Sequence, residues 1–330
     1  VAKEMALFHQ LDKSSQMIQN KLGYSYLEAL IESMENIIGK GDLPEEYHTL
    51  DQESVQILQN IYAKIPNDLE PETIRRGVQL AILKAIKEDA IQPNYQMTPD
   101  SIGFLVAYFI EIFAQVKGRI HLADLAAGSG NLLYTIHHYL TMKDISVDLT
   151  GVDNDELMLS LAATSGAFQK TKCHLLLQDA LRPIYMKPAH IIVSDLPIGY
   201  YPDDENASNY QTSFAKGHSY SHYLLMEQQL SYLVDEGFAF YIVPTFVLND
   251  DTTSSLLSAL QQNSYIQGII ELPYNLFLNE RSRKSILILQ KHGKHARQLE
   301  TLVTQIPEFK EIQQMEEFLS QMKNWKENNK

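Results

Sequence analysis

The chain has 330 residues, 45% hydrophobic and 21% charged, which excludes a disordered polymer and gives length for about two domains. Lys and Arg number 27 against 41 Asp and Glu, a net charge of −14, which excludes a broad cationic coat for nucleic acid but not a local basic groove. The single cysteine, Cys173, excludes an internal disulfide and a cysteine-based zinc cluster, and no apolar run reaches the roughly 20 residues that span a bilayer.

Residues 1–94 read as a helical domain. Val1 to Gln10 is charged and lacks the apolar stretch of a signal peptide, so the expected compartment is the cytoplasm. Tyr26, Leu27, Leu30, Ile31 and Met34, then Ile37 and Ile38, recur at helical spacing. Gly39-Lys40-Gly41-Asp42-Leu43-Pro44 predicts a stop and turn. Asp51-Gln52-Glu53 opens another helix through Val55, Leu58 and Ile61. A third begins at Glu70-Pro71-Glu72, with proline just inside its start. Two roles stay open for this domain: docking or orienting a substrate, or a lid that completes the core.

From Tyr95 the pattern changes. Pro99-Asp100 starts a helix over Ser101 to Val116. Short apolar segments then alternate with helical ones: Ile120 to Asp124, Val147 to Asp153, His174 to Gln178, His190 to Asp195, Phe238 to Pro244, Gln267 to Leu272 and Ser285 to Gln290. The alternation predicts an α/β domain over 95–330 with a doubly wound, mostly parallel seven-stranded sheet. Residues 203–222 are polar, aromatic and turn-rich, and predict a mobile functional loop. Residues 308–330 read as a charged helix.

Asp124-Leu125-Ala126-Ala127-Gly128-Ser129-Gly130-Asn131-Leu132-Leu133 follows a strand and opens a helix. Its glycines let the backbone turn tightly against a ligand. A dinucleotide fingerprint needs a third glycine where Leu133 stands, and no Gly-Lys-Ser/Thr is present for a P-loop. An acidic residue just before the turn suits the ammonium of S-adenosylmethionine and would repel a pyrophosphate. The next strand ends at Asp153-Asn154, where a carboxylate can take both ribose hydroxyls. The third ends at Asp179-Ala180, where a carboxylate can accept from an adenine amino group. Each aspartate alone could be a helix cap. Three at successive strand ends, with the glycine turn, favour S-adenosylmethionine.

Asp124 to Leu133 resembles motif I of class I S-adenosylmethionine-dependent methyltransferases. Asp195-Leu196-Pro197-Ile198 is similar to the Asp/Asn-Pro-Pro-aromatic motif of adenine-N6 DNA methyltransferases. With Thr98-Pro99 and the later strands, residues 95–291 resemble modification subunits of type I restriction systems. The string Asp195 to Pro202 and the compact size resemble the YtxK-like methyltransferases. The resemblance implies that Asp124, Gly128 and Gly130 line the methionine end of the cofactor. Asp153 would hold the ribose and Asp179 the adenine amino group, Thr98 and Pro99 would border the cofactor, and Ala126, Asn131, Asn154 and Ala180 would complete the cofactor-binding set. Asp195 would accept from a target amine, and Pro197 would direct a backbone carbonyl to it.

The motif departs from the family at Leu196 and Ile198, which replace a proline and the aromatic stacking platform. Tyr200 or Tyr201 is the expected substitute. About 40 residues follow the last predicted strand. A separate recognition domain would need roughly 50–250, so DNA specificity would need a partner subunit, or the substrate is not duplex DNA. The basic residues Arg281, Arg283, Lys284, Lys291, Lys294 and Arg297 read as a solvated strand end, with phosphate contact as the alternative. His218 and His222, Cys173 and Glu271 read as structural, and no metal or membrane contact is expected. The expected activity is methylation of an exocyclic amino nitrogen, with adenine in nucleic acid as the leading substrate. A glutamine or amide protein methyltransferase and a non-catalytic cofactor-binding adaptor are the alternatives.

Overall fold

The computed structural model describes residues 2–40, 50–91, 97–249, 253–277 and 279–329. The turn expected from Gly41 to Pro44, the Tyr95-Gln96 part of the Thr-Pro element and the expected domain boundary at 94 and 95 lie outside these residues.

Among the described residues four helices come first: α1 (Ala2–Leu22), α2 (Tyr26–Ile38), α3 (Gln52–Tyr62) and α4 (Pro71–Glu88). Local chemistry sets their starts. Ser25 and Glu28 form a reciprocal capping box on α2, Asp51 caps α3 through the Ser54 N–H, and Pro71 opens α4.

The sheet domain begins with α5 (Asp100–Phe109), which runs on as a π-helical turn over Ile110–Ala114. Then follow β1 (Arg119–Asp124), α6 (Asn131–Thr141), β2 (Ser146–Asp153), α7 (Glu156–Phe168), β3 (Cys173–Leu177), β4 (Ala189–Asp195), α8 (Asp204–Ala207) and α9 (Ser221–Ser231). The chain ends with β5 (Leu233–Pro244), α10 (Thr253–Leu260), β6 (Ser264–Glu271), β7 (Lys284–Lys291), β8 (Leu302–Gln305) and α11 (Ile312–Asn328). All seven predicted strands are present. An eighth, β8, was not expected; it is a short edge strand pairing parallel to β6.

The strand order is β3-β2-β1-β4-β5-β7-β6-β8, with β7 antiparallel to both its neighbours. Alternate residues of the same strands feed two cores. Leu122, Ile191, Phe240 and Ile288 face one side, and Ala123, Ile192, Tyr241 and Leu287 face the other. Helices cover both faces, so the central strands are continuously apolar. Strand order reverses between β1 and β4, and the crevice at such a switch point is where open α/β sheets bind ligands.

The expected functional loop over residues 203–222 carries regular structure of its own. It contains α8, and Asn206 and Tyr210 both donate to the Leu181 carbonyl. Glu227 accepts from the Gln211 and Thr212 backbone, and Ser219 accepts from Phe214 N–H. Leu181 and Glu227 lie outside the segment, so its own turn chemistry does not reveal those anchors, whereas the Phe214–Ser219 bond is local.

Candidate active site

Asp124 ends β1 and is 2% exposed. Its Oδ1 accepts from Ala126 N–H at 2.9 Å and from Ser194 Oγ at 2.6 Å, while Oδ2 takes no hydrogen bond among the described residues. Burial pushes this carboxyl up to about 7; the Ser194 and Ala126 donors oppose the rise, and Asp153 and Asp195 add to it. The turn that follows needs its glycines. Gly128 and Gly130 have φ of 50° and 75°, in the left-handed region. A Cβ on Gly130 would meet the Tyr134 ring at 2.8 Å, whereas one on Gly128 meets nothing within 4 Å.

A cavity of about 460 Å³ opens at the C-terminal ends of β1 to β4, within the size range of small-molecule sites. It gathers most of the expected residues: Thr98, Asp124, Ala126, Gly128, Asn131, Asp153, Asn154, Asp179 and Ala180. Asp195, Pro197, Tyr200 and Tyr201 line it as well. Pro99 and Gly130 do not line it; Pro99 precedes α5 and Gly130 precedes α6, each as the cap residue. Met97, Gln178, Leu181, Ser221 and Leu225 line it without having been foreseen.

The carboxylates are held by backbone. Asp153 accepts from Gly128 N–H at 2.7 Å and from Asp155 N–H at 2.9 Å, and burial raises its carboxyl above the usual range. Asp179 accepts from Leu181 N–H at 2.8 Å and from the Tyr201 hydroxyl at 2.6 Å.

Asp195 ends β4 with both oxygens engaged. Thr98 Oγ1 donates to Oδ2 at 3.0 Å, and Lys284 Nζ donates to Oδ1 at 2.6 Å. Sequence reading missed Lys284 as a site residue. Its neighbours show why the string is not simply solvated: Arg283 pairs with Glu271 at 2.7 Å and Lys291 donates to the Leu233 carbonyl at 2.7 Å. Ser194 was missed too; its hydroxyl reaches the adjacent strand, which only the β1–β4 pairing reveals.

The motif's departures have local reasons. Leu196 is buried, and its N–H donates to the Ile242 carbonyl at 3.1 Å, a bond that a proline could not make. Ile198 packs against the apolar layer under α9. Of the two tyrosines, Tyr200 offers an open ring, 63% exposed and stacked on Tyr220 with centroids 5.0 Å apart. Tyr201 is buried, with its hydroxyl on Asp179. Ser221 Oγ donates to the Pro197 carbonyl at 3.3 Å and to that of Gly199 at 3.0 Å.

Other candidates fall elsewhere. His218 Nδ1 lies 2.9 Å from Asp204, while His222 is buried against Tyr220, and burial pushes its imidazole down to about 4. Cys173 is half-buried, and burial pushes its thiol up to about 12. Among the described residues no cluster of His, Cys, Asp and Glu is grouped to hold a metal, and no helix is long and apolar enough to cross a membrane.

The donor set fits S-adenosylmethionine. One buried carboxylate has an oxygen without a hydrogen bond among the described residues, two further strand-end carboxylates face the same cavity, and the open side of Gly128 admits close approach. Bound there, the cofactor supplies an electrophilic methyl on a sulfonium.

Comparison with known proteins gives the family. Residues 5–86 match the YtxK N-terminal helical domain and residues 90–328 match the N-6 DNA methylase family. The chain is 32% identical to the uncharacterized protein YtxK of Bacillus subtilis (strain 168), over 97% of this chain and 96% of that one. It is 38% identical to a Listeria monocytogenes protein described as a class I S-adenosylmethionine-dependent methyltransferase, with a TM-score of 0.91 over 98% and 99% of the two chains. A methyltransferase subunit of a type I restriction-modification system from Streptococcus thermophilus shares the fold at 18% identity, with a TM-score of 0.68 over 98% of this chain and 74% of that one. The chain belongs to the N-6 DNA methylase family and is an S-adenosylmethionine-dependent methyltransferase.

Proposed function

We propose that the chain methylates an exocyclic amino nitrogen, with adenine in DNA as the substrate class. One observation carries this reading: the Asp195 carboxylate opens on the same cavity as the three cofactor-side aspartates, with the open Tyr200 ring on its wall. Asp124 takes the cofactor ammonium, Asp153 the ribose hydroxyls and Asp179 the adenine amino group. Gly128 lets the chain pass close to the methionine end.

An exocyclic amine is a poor nucleophile because its lone pair is delocalised. Asp195 and the Pro197 carbonyl accept from its two N–H groups and turn the lone pair toward the methyl carbon. Alignment of the reacting atoms supplies much of the rate. The bound cofactor would supply the methyl and keep its sulfur as a neutral thioether, and the amine held by Asp195 and the Pro197 carbonyl would give up one proton to solvent. Tyr200 stacks on the base once it has left the duplex.

The engagement of both Asp195 oxygens, by Thr98 and Lys284, favours the non-catalytic adaptor reading. Each carboxylate oxygen accepts more than one hydrogen bond, however, so an amine still finds a lone pair.

A specificity subunit is the partner class suggested by the methyltransferase subunits of type I restriction-modification systems that share the fold. The described residues after β7 serve the chain's own fold: β8 extends the sheet, and Phe318 and Met322 of α11 sit in the core.

The test is transfer of tritiated methyl from S-adenosylmethionine to adenine-bearing oligonucleotides, single-stranded and duplex, and to glutamine-bearing peptides. Label at adenine N6, lost in Asp195→Ala, is the expected result. Label on the peptides alone selects the amide reading. Cofactor binding with no label on any acceptor selects the adaptor.

A further inference from the structure

A buried polar chain runs from the helical domain to Asp195. It starts at Arg75 on α4, which is 2% exposed. Its Nη1 and Nη2 donate to the two oxygens of Asp100 on α5, at 2.8 and 2.7 Å. Its Nε and Nη2 donate to Glu72, at 2.7 and 2.8 Å. Nη1 also reaches Asn131 Oδ1 at 3.3 Å and Thr135 Oγ1 at 3.0 Å on α6. Asn131 Nδ2 then donates to the Thr98 carbonyl at 2.8 Å, and Thr98 Oγ1 donates to Asp195 Oδ2 at 3.0 Å.

Burial works against the Arg75 charge, and Glu72 and Asp100 outweigh it. Replacing such a buried ion pair by packed apolar residues is often neutral or stabilising. Apolar contacts already join the domains: Met34 and Val78 share a core with Leu161 and Phe168 of α7. What a planar guanidinium adds is direction, since its donors are fixed in one fork. Thr98 also stands before Pro99, and a residue before proline is held toward extended backbone. Its carbonyl and hydroxyl are thereby committed to separate partners, Asn131 and Asp195.

We propose that Arg75 and Thr98 are positioning residues, through which the helical domain fixes the orientation of the Asp195 carboxylate on the oxygen that Lys284 leaves. The catalytic consequence rests on the reading that Asp195 receives the amine; the orientation itself does not.

The experiment uses the full chain and two readouts. The first is the side-chain carboxyl ¹³C resonance of Asp195, identified by its loss in Asp195→Asn. Thr98→Val removes only the hydroxyl, Thr98→Ser retains it, and Arg75→Lys keeps the charge but loses the fork. The Asp195 resonance shifts in Thr98→Val and Arg75→Lys and returns in Thr98→Ser, while those of Asp153 and Asp179 stay in place. The second readout is methyl transfer: kcat falls tenfold or more in Thr98→Val and Arg75→Lys, while in Arg75→Lys, which lies outside the cavity, the S-adenosylmethionine Kd changes less than threefold.

An unmoved Asp195 resonance in Arg75→Lys overturns the role of the helical domain, and one unmoved in Thr98→Val overturns the chain itself. A shifted resonance with unchanged kcat also overturns the proposal. A wild-type chain that labels no acceptor, with the resonance still shifting as described, refutes the amine reading and leaves the positioning chain standing.

Discussion

Asp124 gives the site a pH dependence whose sign follows from its burial. In the free protein its carboxyl is pushed up to about 7, so it is largely protonated below that pH. A cofactor ammonium at Oδ2 favours the ionised form. Binding below pH 7 therefore expels a proton, and affinity rises up to tenfold per pH unit until it levels off near 7. Asp153, also raised by burial, adds in the same direction. Calorimetric Kd values from pH 5.5 to 8 check this; Asp124→Asn flattens most of the slope, and a flat wild-type profile refutes the assignment. The two tyrosines separate by the same kind of measurement. Tyr201→Phe removes a donor to Asp179, a hydrogen bond of about 1 kcal/mol, and weakens S-adenosylmethionine roughly fivefold. Tyr200→Ala leaves that affinity alone and raises the KM for a base acceptor, since stacking on one base is worth about 1–3 kcal/mol. The reverse pattern would exchange their roles. The strand-end aspartates were legible because each closes an apolar run within its own segment. Lys284 was not. Its partner lies two strands away, and their meeting depends on β5 placing Ile242 beside Asp195 and Pro244 beside Lys284.

The turn between β1 and α6 shows how one element divides labour between two glycines. Both hold positive φ, which costs an L-residue about 1–2 kcal/mol. Gly130 carries a further constraint, because its missing Cβ makes room for Tyr134, whose hydroxyl donates to the Ala162 carbonyl and so ties α6 to α7. Gly130→Ala therefore lowers stability by more than the backbone strain, by about 2–4 kcal/mol once a buried ring must shift. Gly128→Ala lowers stability by only about 1–2 kcal/mol but weakens the cofactor more, because the new methyl stands at the cavity. Denaturant unfolding and cofactor titration of both variants check the pair; equal stability losses would show that the Tyr134 contact relaxes freely. The glycines were readable from spacing, whereas the fold of residues 203–222 and strand β8 was not. Both owe their order to partners distant in sequence. The former hangs on Leu181 and Glu227, and β8 is only four residues long, paired with β6 alone.

At the scale of the molecule, the sequence reads the first domain as helices and leaves two roles open, a substrate-orienting domain or a lid that completes the core. Apolar spacing locates the buried stripe of α2, yet says nothing of what covers it. The structure places Leu30 and Met34 of α2 in one cluster with Met158, Leu161 and Phe168 of α7, and Thr164 of α7 donates to Glu35 at 3.1 Å. This contact favours a body that completes the core, while the Arg75 chain carries its influence inward to the site. A shared core predicts shared unfolding. The single tryptophan, Trp325 on α11, packs on Phe113 at 4.6 Å and reports the sheet domain, whereas far-ultraviolet circular dichroism reports all the helices. Chains of this length often unfold in steps. Here the two signals are expected to fall together. Leu161→Ala, at a fully buried position in the joint cluster, should cost about 2–5 kcal/mol and move both transitions down by the same amount. If circular dichroism falls first and the Trp325 signal stays in place, the helical domain is an independent folding unit. A domain that melts away on its own could not hold the Asp195 carboxylate, so that separation would also count against Arg75 as its anchor.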